Sequence, residues 1–137
     1  MKAKKIMNKI VVILEDERSV ADVLQMIAKK HGFAPICFMY VDNLIEHIDL
    51  LKKTDLFITD YNLYDSTVIS VLQEIKIRNI NVYTVLNSSN PNAIKDIEKS
   101  GLSEYINEQI DKTTDFNTFF RKFNKDWLYL YEYKLYI

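Results

Sequence analysis

Two short apolar runs, residues 10–14 and Leu56–Thr59, each break off in acid, the first at Glu15-Asp16-Glu17 and the second at Asp60. Unbroken apolar and β-branched stretches of this length suit strands covered on both faces. Strands of that kind belong to parallel sheets, in which every crossover lays a helix on one face or the other. An acid at the C-terminal end of such a strand lies where open α/β sheets bind ligands. Asp60 has a plainer reading as well, as a turn-former or a cap for the following helix.

The remaining chain supplies the crossovers. Val20, Val23, Leu24, Ile27 and Ala28 fall at helical spacing, with Ser19 as a cap and Gly32 as a stop. Residues 34–39 predict a second strand, and Leu44, Ile45, Ile48 and Leu51 a second helix. The third strand covers residues 55–59, a loop follows over 61–65, and Val68, Ile69, Val71, Leu72 and Ile75 pattern a third helix. Residues 80–86 predict the fourth strand. The polar run Asn87-Ser88-Ser89-Asn90 then leads to Pro91 in the first turn of a helix that stops at Gly101. Tyr105 and Ile106 predict a short fifth strand. Thr114 is placed to cap a last helix with Phe116, Phe119, Phe120, Phe123 and Trp127 on one stripe. Five strands alternating with five helices predict right-handed crossovers and a doubly wound parallel sheet.

With 137 residues, 48% of them hydrophobic and 27% charged, the chain has material for one domain with a real core. A formal net charge of −1 leaves no electrostatic footprint for nucleic acid or an anionic membrane. The single cysteine, Cys37, excludes an intramolecular disulfide and fits a reducing, cytoplasmic setting. The basic start of the chain superficially resembles a signal peptide, but the acids at 15–17 cut the apolar run short. No stretch approaches the ~20 apolar residues of a membrane span, so a soluble protein is expected.

In a doubly wound sheet the first and third strands are neighbours, so Glu15, Asp16 and Asp60 converge. Three converging acids repel one another and need a cation or shifted pKa values. Oxygen-only donors suit Mg²⁺ better than zinc. With a metal to screen the incoming charge, Asp60 can act as a carboxylate nucleophile toward a phosphoryl donor. The alternative is a set of acids that cap helix N-termini.

Val11-Val12-Ile13-Leu14-Glu15-Asp16-Glu17, the segment from Asp55 to Leu63, and Gly101-Leu102-Ser103-Glu104-Tyr105-Ile106 together resemble response-regulator receiver domains, over residues 9–123. The resemblance implies a flavodoxin-like, five-stranded parallel sheet of order 2-1-3-4-5, with residues 1–124 as the receiver and 125–137 as an aromatic extension. It implies that Asp60 accepts a phosphoryl group from a histidine kinase or a phosphotransfer protein. Glu15, Asp16 and Asp60 would hold Mg²⁺ with the backbone carbonyl of Asn62. Tyr105 would take a rotating aromatic switch position; its plainer reading is an aromatic packed on the sheet edge.

Two departures from that pattern bear on the site. Where the family has Lys then Pro after the fifth strand, this alignment places Glu108-Gln109, which reverses the charge, favours metal and disfavours a dianionic phosphate. Where the family has Thr or Ser after the fourth strand, Leu86, Asn87 or Ser88 falls, of which Ser88 offers a hydroxyl and Asn87 an amide. Tyr64 also stands where the family's loop usually carries Pro.

Residues 127–137 hold four of the nine tyrosines. Phe123, Trp127, Leu130 and Lys134 share a helical face, whereas Tyr129, Tyr131, Tyr133 and Leu135 alternate as in a strand. This segment reads either as a last helix folded on its own sheet or as a docking or homodimer surface. The expectation is a single-domain response regulator that is not an enzyme, carries no output domain and signals by protein contact with a downstream partner. The alternative is a pseudo-receiver that binds partners without phosphorylation, which Glu108 favours. A phosphatase on the same fold would need a second acid or a phosphate-binding lysine, and His31 and His47 lie on helices away from Asp60.

Overall fold

The computed structural model describes the backbone of residues 9–135 and the side chains of residues 9–127. Five strands, β1 (Lys9–Leu14), β2 (Phe33–Phe38), β3 (Leu56–Thr59), β4 (Tyr83–Asn87) and β5 (Glu108–Ile110), form one parallel sheet of order β2-β1-β3-β4-β5. The helices between and after them are α1 (Arg18–Lys30), α2 (Val41–Glu46), α3 (Ile69–Ile77), α4 (Ala93–Lys99) and α5 (Phe116–Leu135). The flavodoxin-like architecture expected from the sequence is the one observed.

Strand pleating divides the core in two. Val12 and Leu14 of β1, Phe57 of β3 and Leu86 of β4 face α2, α3 and α4, whereas Val11, Ile13, Leu56, Ile58 and Val85 face α1 and α5. Both faces are buried, which is why the central strands read as continuous apolar runs. On the second face Phe120 is fully buried and packs on Phe33 at a ring separation of 5.2 Å. Burying one such side chain contributes about 1.5–3 kcal/mol. The stripe of Phe116, Phe119, Phe120 and Phe123 thus seats α5 on the sheet.

Several local expectations are corrected. The second helix ends at Glu46 and continues, after His47, as a 3-10 helix over Ile48–Lys53, which still buries Ile48 and Leu51. Strand β4 begins at Tyr83, and residues 80–82 lie outside it. Ser19 lies within α1, whose N-terminal cap position is Glu17, and Val23 is 47% exposed. Asp115 rather than Thr114 receives the first bonds of α5, its Oδ1 accepting the Asn117 N–H at 3.0 Å. The fifth strand lies not at Tyr105 and Ile106 but at Glu108–Ile110; Tyr105 closes a separate 3-10 turn, Ser103–Tyr105. The backbone of the C-terminal segment is helical through Leu135, and the side chains of residues 128–137 lie outside the described residues.

Gly32 and Gly101 do end their helices as read, with φ of +87° and +72°, a region in which a Cβ is strained.

Candidate functional site

The parallel register brings the C-terminal ends of β1, β3, β4 and β5 to one edge of the sheet. Asp60 follows β3 directly, and its N–H donates to the Leu14 carbonyl at 3.1 Å, extending the ladder and fixing Asp60 beside Glu15. Glu15 is held in the same way, its N–H donating to the Phe38 carbonyl at 3.0 Å. Its carboxylate bends back to accept the Glu17 N–H at 3.1 Å, while Asp60 Oδ1 accepts the Tyr61 N–H at 2.7 Å. Glu15, Asp16 and Asp60 each present a carboxylate oxygen, and the three lie within 4.8 Å of one another.

The charge at this edge is not what the sequence predicts. Lys112, two residues past β5, donates through Nζ to Asp60 Oδ2 at 2.9 Å and to Glu15 Oε1 at 3.2 Å. Glu108 lies at the other end of β5, paired in register with Val85, and its carboxylate accepts the Tyr83 hydroxyl at 3.1 Å. The reversal of charge expected from Glu108 therefore does not occur; the strand begins later than the apolar pair Tyr105-Ile106 suggests, and a lysine reaches Asp60.

Electrostatics follow from this packing. Burial pushes the Glu15 carboxyl above its ordinary value, opposed by the Glu17 N–H and by Lys112. Burial also works to lower the Lys112 ammonium, but its bond to Asp60 and the charges of Asp60 and Glu15 outweigh this and raise it. Lys112 is therefore a cation at neutral pH. Three acidic groups against one ammonium leave an excess of acids at this edge, which a divalent cation would offset. The donor set is oxygen only, as hard cations prefer, so these residues fit Mg²⁺.

The other expected residues fall at or near the same edge, with one exception. Asn87 ends β4, is 2% exposed, and its Oδ1 has no hydrogen-bond partner among the described residues. Ser88 is also buried; its N–H donates to the Ile110 carbonyl and its Oγ accepts the Asn90 N–H. Asn62 forms an isolated backbone bridge with Thr67 in the loop after Asp60. Tyr64 of this loop is 84% exposed and meets Tyr40 edge to face, with ring centroids 6.0 Å apart. Tyr105 is the exception, sitting before β5 and packing half-buried against the α2–α4 side of the core.

Three contacts escape the sequence reading. Lys112 is the first, and its signal is only a lysine two residues past a weakly apolar strand. Tyr61 is the second: it is buried, and its hydroxyl donates to Asp96 of α4 at 3.0 Å, tying the residue next to Asp60 to a helix 35 positions away. Asp65 is the third, its two carboxylate oxygens accepting the Val41 and Asp42 N–H groups at 3.0 and 3.1 Å, so one loop caps the helix of another. Such long-range pairings leave no local pattern to read.

Neither a protein-family model nor a curated protein matches this sequence. Solved structures do match. A response regulator from Thermotoga maritima in complex with Mg²⁺–BeF is 16% identical, with a TM-score of 0.69 over 85% of this chain and 97% of that one. A response regulator receiver domain protein from Bacillus halodurans is 19% identical, with a TM-score of 0.69 over 85% and 94%. A two-component response regulator from Clostridium difficile is 16% identical, with a TM-score of 0.68 over 85% and 93%. With its sheet order and the edge at which Asp60 stands, the chain has the fold of response-regulator receiver domains.

Proposed function

We propose that this chain is a receiver unit that accepts one phosphoryl group on Asp60 from a histidine kinase or phosphotransfer protein and signals through protein contact. The observation that carries this reading is Lys112 Nζ, bonded to Asp60 at 2.9 Å beside three carboxylates within 4.8 Å of one another. Glu15, Asp16 and Asp60, with the Asn62 carbonyl, are the residues that would hold Mg²⁺. When bound, the metal supplies charge neutralisation for the phosphoryl oxygens. The chain's own residues do the rest. Asp60 Oδ2 attacks phosphorus as the bond to the donor breaks, and Lys112, now bonded to that oxygen, is placed to pair with a phosphoryl oxygen. Tyr61 N–H keeps Asp60 Oδ1 oriented. Buried Asn87 and Ser88 offer an amide and a hydroxyl at the end of β4 as phosphate-sensing groups.

The pseudo-receiver alternative draws its support from Glu108, and that side chain bonds Tyr83 at the other end of β5. Among the described residues no helix is long and apolar enough to cross a membrane, which is compatible with a cytoplasmic relay. Incubation with acetyl phosphate followed by intact-mass measurement tests the proposal. One phosphoryl adduct is expected in Mg²⁺ and none in EDTA; no adduct in either condition would remove it.

A further inference from the structure

Asp60 Oδ1 accepts the Tyr61 N–H at 2.7 Å, and the tyrosine behind that bond is buried and tied at both ends. Its carbonyl accepts the Val68 N–H at 3.0 Å. Its hydroxyl donates to Asp96 Oδ2 of α4 at 3.0 Å, and the Thr67 side chain bonds the same hydroxyl. Tyr61 belongs to the same core cluster as Ala93 and Ile97, the buried residues of α4. One residue is thus bonded through its backbone to the acceptor carboxylate and through its side-chain tip to a helix. Tyr105, by contrast, lies before β5, in a separate turn.

Phosphoryl transfer changes the first of these bonds. As Asp60 Oδ2 forms its bond to phosphorus, the bond from phosphorus to the donor breaks and its electron pair leaves with the donor. Oδ2 becomes the bridging oxygen of an acyl phosphate, and Oδ1 becomes a neutral carbonyl oxygen. Hydrogen bonds to ionised acceptors are roughly twice as strong as those between neutral groups. The Tyr61 N–H therefore loses part of its hold on Asp60 as the phosphoryl group arrives. A tyrosine side chain has only two torsions, so in a close-packed core a shift of its backbone is passed on to its hydroxyl.

We propose that Tyr61 couples phosphorylation of Asp60 to α4: as its N–H bond to Oδ1 weakens, its hydroxyl bond to Asp96 loosens and Ala93–Lys99 is held less tightly. This rests on Asp60 as the acceptor and adds to that reading the element that responds. A second route also runs from the site to α4. The Lys112 N–H donates to Ser89 Oγ, Ser88 Oγ accepts the Asn90 N–H, and the Asn90 carbonyl accepts the Ala93 N–H. That route does not pass through the Tyr61 hydroxyl, so removing the hydroxyl separates the two.

Amide hydrogen exchange of the full chain in Mg²⁺, with and without excess acetyl phosphate, tests the coupling, with the adduct in each sample read by intact mass. In the parent, exchange across Ala93–Lys99 is expected to rise about threefold or more with the adduct, as for a charge-assisted bond reduced to a neutral one. In Tyr61→Phe and in Asp96→Ala, which lack the hydroxyl bond, the adduct is expected to form as in the parent while the rise disappears. An adduct on the parent with unchanged exchange in α4 would overturn the coupling. So would a full rise in Tyr61→Phe, which assigns the response to the route through Ser88 and Asn90 and leaves the hydroxyl bond a merely structural one. No adduct on any chain would remove Asp60 as the acceptor, and the coupling with it.

Discussion

Lys112 donates to Asp60 at 2.9 Å across 52 positions of sequence, and the same ammonium reaches Glu15 at 3.2 Å. One cation thus bridges the ends of β1 and β3 from a residue just past the edge strand. It offsets part of the repulsion among three converging carboxylates, of which Glu15 is buried, with 3% exposed. Replacing Lys112 with Ala is expected to cost about 1.5–3 kcal/mol of stability in EDTA, the range for hydrogen bonds to charged groups. Urea unfolding measures this. Added Mg²⁺ should stabilise the variant more than the parent, and equal stabilisation of the two would contradict the bridging role.

Glu108 separates two accounts of the site. If it faced the phosphoryl group, its neutralisation would speed phosphorylation. With its carboxylate on Tyr83, Glu108→Gln is expected to leave the rate of adduct formation from acetyl phosphate unchanged, as followed by intact mass over time. A change of an order of magnitude would place Glu108 back at the site.

Tyr61 links the site to α4 through its hydroxyl on Asp96. Tyr61→Phe keeps the buried ring and removes one bond, so a loss of about 0.5–1.5 kcal/mol is expected in urea unfolding. The same variant should increase amide hydrogen exchange in Ala93–Lys99 with little change in α1. Unaltered exchange in α4 would show that the bond does not hold that helix.

Asp65 predicts an acid dependence. Burial works to raise its carboxyl, but the Val41 and Asp42 N–H groups outweigh this and hold it below the ordinary aspartate value. A carboxyl lowered in the folded state contributes stability that is fully present above the unfolded value of about 3.9 and is lost as pH falls through the folded value. The urea midpoint of the parent should therefore exceed that of Asp65→Asn at pH 7, and the gap should close as pH falls below about 4. A gap independent of pH would contradict the assignment.

The legible and illegible parts of the sequence divide along burial. Residues 10–14 and Leu56–Thr59 are covered on both faces, so they are apolar throughout, and the acids that end them stand out. Strand β5 lies at the sheet edge with Ile110 as its one apolar residue, so the pair Tyr105-Ile106 draws the eye to a turn instead. That displacement carries the expected basic position onto Glu108 and hides Lys112. The capping error at Thr114 has a different cause: Asp115 and Thr114 are both good caps, and only the bonds to Asn117 and Thr118 choose between them.

Phosphorylation of Asp60 is open to direct measurement. Acetyl phosphate treatment in Mg²⁺, followed by proteolysis at low pH and peptide mass measurement, locates the adduct. It should fall on the peptide containing Asp60 in the parent chain and disappear in Asp60→Asn, whereas an adduct that maps elsewhere or survives in Asp60→Asn would contradict the account.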